Sequence, residues 1–135
     1  MPFDTKYDSG FYRIAVDESQ DLLRAEWLRT VNKDELVEGG TKLYEILRET
    51  GITLVMADAR VLTALPSDAK DWMASTFYEL LSQTGLKMMA RVVPSAIFSK
   101  IALESVVTRA EALGVTKFEV KNFTDPKDAL SWLLA

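Results

Sequence analysis

Ile52-Thr53-Leu54-Val55-Met56-Ala57-Asp58-Ala59-Arg60 is the stretch on which the fold turns. Its first part is almost wholly apolar and too short for a buried helix. Such a run, lacking polar alternation, reads as a strand covered on both faces. A strand buried on both sides needs helices above and below it, so the flanking chain is expected to alternate helix with strand.

Upstream, Asn32 stands as an N-cap, with Glu35 at the capping-box position. Leu36, Gly40, Leu43 and Leu47 recur at helical spacing, and Gly51 sits where a C-terminal cap belongs. The Gly39-Gly40 pair inside this helix costs about 1 kcal/mol per glycine relative to alanine. Close approach of helix to sheet explains it; a ligand pressing on the backbone is the alternative. Before the helix, Phe11–Asp17 alternates loosely, and Leu22–Arg29 sets Leu23, Ala25 and Trp27 against Arg24 and Glu26. The link Glu18-Ser19-Gln20-Asp21 makes a hairpin of the two. Residues 1–10 are polar, carry Pro2 and Gly10, and read as a short arm.

Downstream, a helix is expected from Ser67 to Thr84, with Ala69, Trp72, Met73, Thr76, Phe77 and Leu80 inward and Gly85 closing it. Lys87–Val93 is the next buried strand, stopped by Pro94. Ser95–Gly114 carries a third apolar helical stripe through Phe98, Ile101, Ala102, Val106 and Leu113. Phe118 and Val120 alternate with Lys117, Glu119 and Lys121 as in an edge strand. Asp125-Pro126 opens a short final helix through Ala129, Leu130, Trp132 and Leu133. The expected order is β-β-α-β-α-β-α-β-α, one α/β domain over residues 11–135 with a mainly parallel, five-stranded sheet.

Composition narrows the chemistry. The chain has 135 residues, 48% apolar and 27% charged, which is an ordinary globular balance. A net charge of −4 leaves no basic footprint for nucleic acid. Cysteine and histidine are both absent, so thiolate nucleophiles, imidazole zinc sites and Ser-His-Asp relays have no residues to form them. No stretch approaches the roughly 20 apolar residues of a membrane span. The start lacks a basic segment followed by an apolar run, so no signal peptide is expected, and cytoplasm is the expected location. Neither a cofactor nor a metal site is expected.

In element order and length, residues 11–135 resemble the SpoIIAA-like fold, which includes anti-sigma-factor antagonists (STAS domains) and the lipid-carrying SEC14/CRAL-TRIO group. Leu54–Ala69 looks like the STAS segment in which a central strand ends in Asp and a loop leads to a phosphorylatable serine opening the next helix. Phe123-Thr124-Asp125, with Ala129 and Trp132-Leu133, is similar to the last helix of small bacterial SpoIIAA-like proteins of unassigned role. STAS switches usually carry Asp-Ser-Ser-Gly or Asp-Ser-Thr-Gly where this chain has Pro66-Ser67-Asp68-Ala69. The resemblance thus implies Ser67 as phosphoacceptor, or Asp68 as a fixed negative charge in its place.

Asp58 and Arg60 fall at the carboxyl end of a central strand, where open α/β sheets place their ligands. A plainer role is open too: Asp58 accepting loop amide hydrogen bonds, with Arg60 paired to it. Ser67 or Asp68 equally suits a plain helix cap, while a phosphate on Ser67 would meet free amides there. Ser67 and Lys70 match S-x-x-K, but the partner elements of that catalytic motif are missing. Asn122-Phe123-Thr124 spells a glycosylation acceptor, which carries no weight without a secretory signal. Met56, Met73, Met88 and Met89 with Trp72, Phe77 and Phe98 make a soft, aromatic interior, read as core or as a pocket. The expected function is a non-catalytic module for protein interaction or regulation through Asp58, Arg60, Ser67 and Asp68, as a homodimer or with one protein partner. Its alternatives are a carrier of a small apolar, lipid-like ligand and a phosphorylation-switched antagonist.

Overall fold

The computed structural model describes residues 3–94 and 117–135, and its six strands form one sheet whose order follows the chain. Strands β1 (Asp4–Asp8), β2 (Tyr12–Asp17) and β3 (Leu22–Trp27) are antiparallel. Strands β4 (Leu54–Asp58), β5 (Met88–Val92) and β6 (Glu119–Phe123) run parallel to β3 and to one another. The helix expected over 95–114 lies outside the described residues.

The sheet has one strand more than the five expected, and it comes from the stretch read as an arm. β1 is exposed along most of its length, so it carries no apolar alternation to betray it. Its ladder to β2 holds it, together with a hydrogen bond from the Tyr7 hydroxyl to Glu38 Oε2 at 2.8 Å. The hairpin between β2 and β3 is as expected. Its link is a 3₁₀ turn over Glu18–Gln20 capped by Asp17, followed by Asp21 at φ 55°. The Asp21 carboxylate accepts from the Thr53 amide at 2.9 Å and from the Thr53 hydroxyl, tying the hairpin to the start of β4.

Helix α1 (Lys33–Thr50) begins with the expected capping box: the Glu35 amide donates to Asn32 Oδ1 at 2.9 Å, and the Asn32 amide donates to Glu35 Oε1 at 3.1 Å. Gly51 ends it at φ 69°. The two glycines lie where α1 meets aromatic rings. A Cβ on Gly39 would sit 2.7 Å from Tyr12 and 2.9 Å from Trp27, which are themselves stacked at 3.8 Å. On Gly40 a Cβ would sit 2.8 Å from Trp72 and 3.0 Å from Phe77. Side-chain packing against the helix backbone therefore accounts for both.

The expected helix from Ser67 is present but not regular. α2 (Ser67–Trp72) runs into a π turn (Met73–Phe77) and then α3 (Tyr78–Leu81), with the Tyr78 amide donating five residues back to Met73. A wider turn absorbs an extra residue and advances every later side chain by one position. Tyr78 and Leu81 are buried in consequence and Leu80 is only half-buried, while within the turn Ala74 is buried and Thr76, read as inward, is exposed.

Alternate residues of β4 and β5 serve two cores. Val55, Ala57 and Met89 face α1, α2 and α3. Leu54, Met56, Met88, Ala90 and Val92 face α4 (Pro126–Leu133), which packs through Ala129 and Leu133.

Candidate functional site

Asp58 ends β4 with its side chain mostly buried. Its Oδ1 accepts the Arg60 amide at 3.1 Å and Arg60 Nε at 3.0 Å, and Arg60 Nη2 reaches Oδ2 at 2.6 Å. The bond to Asp58 raises the Arg60 guanidinium above its ordinary value, against a smaller opposing effect of burial. The pair is the plainer arrangement the sequence allowed, a carboxylate pinning its own loop. Glu26, across the ladder from Asp58, and Asp125, the N-cap of α4, add weaker attraction to Arg60, which places the pair toward the α4 side.

Ser67 and Asp68 are exposed in the first turn of α2. The cap position belongs to Pro66, and the helix has no side-chain cap bond, so Ser67 is the first helical residue rather than the cap. Among the described residues no hydrogen bond or ion pair joins Ser67 or Asp68 to Asp58 or Arg60. The four residues are neighbours in the chain, but bonding unites only the first two.

Beneath this loop lies a cavity whose lining includes Trp72, Met73, Phe77 and Met89, four of the residues read as core or as a pocket. The Ala59 amide donates to the Val92 carbonyl at 2.8 Å, which draws the chain back over the end of the sheet and buries Ala59 and Leu62. Both line this cavity of about 30 Å³, room for about two waters. Tyr12 and Trp27 from the sheet, Leu43 from α1, and Met73, Phe77 and Tyr78 from the irregular helix complete most of the lining.

One charged side chain lines it as well: Arg91, only 2% exposed. Its Nη1 and Nη2 are both buried and have no hydrogen-bond partner among the described residues. Arg91 is the fourth of the five residues of β5, level with Ala57 on β4 and Asn122 on β6. Ala25 on β3 is level with Ala57, so two alanines leave space on the α1 side of the sheet beside the arginine. The Asn122 amide oxygen is a further buried acceptor without a partner among the described residues. Burial pushes the Tyr12 and Tyr78 phenols up, and Arg91 pulls Tyr78 part of the way back. Both tyrosines therefore present neutral hydroxyls at neutral pH.

An arginine in a strand covered on both faces was the available signal, since Lys87–Val93 was already read as such a strand. An isolated cation taken out of water costs several kcal/mol unless it is paired.

These strands and layers define an α/β protein with a three-stranded antiparallel edge continued by parallel strands. No family model matches the sequence, and no curated protein matches it. Among solved structures it is similar to an uncharacterised protein of the DUF3478 family with a SpoIIAA-like fold from Shewanella loihica PV-4. The TM-score is 0.54 and the identity 19%, covering 97% of this chain and 91% of that one. The chain thus has a SpoIIAA-like fold, as the resemblance implied. At that identity the likeness concerns the fold alone. Among the described residues no helix is long and apolar enough to cross a membrane, and no three acidic residues gather as a metal site requires.

Proposed function

We propose that this domain is a non-catalytic binding module that holds a small ligand in the cavity under the β4–α2 loop. The observation that carries this is the cavity's place. It lies at the carboxyl end of parallel strands, walled by aromatic rings and bordered by a π turn, where open α/β sheets and π turns commonly carry ligand sites. Its size favours a molecule of a few heavy atoms over a long acyl chain. Xenon, a small neutral probe, tests the cavity itself. A saturable shift of dissolved ¹²⁹Xe is expected with the native protein and is expected to vanish in Ala57→Leu, whose side chain fills the space. The same weak, linear response from both proteins would remove the reading.

A second reading, docking of a protein partner, draws on the outer side of the same loop. Arg60, Val61, Thr63, Ala64, Pro66, Ser67 and Asp68 are exposed there, and the Asp58–Arg60 pair steadies the segment. A regulated Ser67 belongs to this reading, since an accessible hydroxyl in the first helical turn would give a phosphate free amides to accept. Light scattering of the pure protein, repeated with Arg60→Asp and Asp68→Arg, tests self-association. A mass above one chain that falls with either substitution supports docking, and a monomer throughout removes the homodimer.

A further inference from the structure

Arg91 is a buried cation beside an apolar cavity, and its two terminal nitrogens are unpartnered among the described residues. We propose that the cavity is a binding site for a small monocarboxylate, its carboxylate held by Arg91 and its short apolar body lying among the aromatic rings. This rests on the ligand-binding reading above and names the ligand's class.

Three features of the site select that class. The unpartnered atoms are the two ends of a planar guanidinium, which match the two oxygens of a carboxylate in a parallel pair of hydrogen bonds. No acidic side chain among the described residues lines the cavity, so the positive charge has no counter-ion among them. The remaining lining is Gly, Ala, Leu, Met and aromatic rings, its polar atoms being the neutral tyrosine hydroxyls and the indole groups of Trp27 and Trp72. A phosphate or sulfate would bring more oxygens than these donors satisfy. A carboxylate leaves the rest of the ligand apolar, as the walls require. At about 30 Å³, room for about two waters, the space limits the ligand to the smallest carboxylates, acetate or propionate with some movement of the lining, and excludes a fatty acid.

The site's origin is local. Arg91 faces the α1 side because side chains alternate along β5, and it fits there because its neighbour in β4 is Ala57. Tyr78 comes close to it because the π turn advances the helix by one position. A regular helix from Ser67 would have brought Leu80 inward instead.

The test is thermal unfolding of the native protein in sodium propionate, with sodium chloride at equal ionic strength and the neutral isostere propionamide as controls. Propionate is expected to raise Tm by about 5 °C at tenfold over its Kd. Chloride and propionamide are expected to fall well short of that. Arg91→Met keeps the length and removes the charge. It is expected to fold with a Tm at or above that of the native protein without ligand, because a buried unpaired charge is gone, and to lose the propionate response. A propionate shift no larger than that of chloride or propionamide would overturn the carboxylate assignment, as would an undiminished shift in Arg91→Met. Loss of xenon binding would instead remove the ligand-binding reading beneath it. Should Arg91→Met not fold, the ¹³C-methyl line of labelled acetate decides. Saturable broadening by the native protein, displaced by propionate and not by chloride, supports the site, and an unchanged line overturns it.

Discussion

At the scale of single residues, the informative positions are those where a local preference is overruled. Gly39 gives up helix propensity so that α1 can lie against the Tyr12–Trp27 stack. Gly39→Ala would regain about 1 kcal/mol of helix propensity but push a methyl group into both rings. Overpacking of this kind costs about 1–3 kcal/mol, so a net loss near 1 kcal/mol is expected in urea unfolding. Asp21 is the clearest residue that the sequence did not disclose. It was read only as part of a turn, yet its carboxylate crosses to Thr53 and its backbone takes a left-handed φ. Asp21→Ala loses the hydrogen bonds and strains the turn, and a loss of about 2–3 kcal/mol is expected. Asp21→Asn, which tolerates that φ and keeps an acceptor, should recover more than half of it. Asp58 and Arg60 were legible as a pair because they are two residues apart and oppositely charged. Ser67 and Asp68 joined them in the reading through the STAS resemblance and their proximity in sequence, and neither says anything about bonding.

At the scale of elements, α1 and α4 were found and α2 and α3 were read as one helix, and capping chemistry placed α1 and α4 within a residue or so. Asn32→Ala removes the α1 cap and is expected to cost about 1 kcal/mol, read from the same urea transitions. Two element-level features escaped. β1 is a polar edge strand, held by a ladder that leaves no mark on hydrophobic pattern. The π turn escaped because a 3.6-residue period was carried unbroken through Met73–Phe77, which put Thr76 and Leu80 inward. Ser75 and Thr76 are exposed within that turn, and such a turn is in effect one residue added to a helix. Deleting Thr76 should restore a regular helix without misaligning Tyr78 and Leu81, and the far-ultraviolet circular dichroism and Tm should stay close to native. A collapse of stability would show that the turn itself is required for packing.

At the scale of the whole molecule, charge and pH follow from groups already named. Glu35 is held below its ordinary carboxylate value, chiefly by Arg29 and then by the Asn32 amide. Asp17 is lowered by the Ser19 hydroxyl and Gln20, and Asp8 by the Gly10 amide and Arg13. A folded-state value below the unfolded one contributes stability that is complete above about pH 4–5 and lost as the pH falls through the lowered values. Tyr12 and Tyr78 have the opposite sign of linkage. Their raised folded-state values give stability that is complete below about pH 10 and lost as the pH rises beyond it. With no histidine in the chain, urea midpoints are expected to stay nearly flat from about pH 5 to 8 and to decline on both sides. In Glu35→Gln the acid-side decline should be shallower.

The layered α/β arrangement was legible at this scale because β4 and β5 are apolar but for Asp58 and Arg91, and only helices on both faces can cover them. The cavity was legible only in part: a pocket among Met73, Met89, Trp72 and Phe77 was one reading, but its place depends on which residues of distant elements meet around Arg91. The methionines report on it directly. Met73 and Met89 line the cavity, whereas Met56 and Met88 belong to the core on the opposite face of the sheet, under α4. With ¹³C-methyl-labelled methionine, a propionate titration should shift the Met73 and Met89 signals along a saturable curve and leave Met56 and Met88 in place. Equal movement of all four, or saturable shifts confined to Met56 and Met88, would contradict a carboxylate held at Arg91.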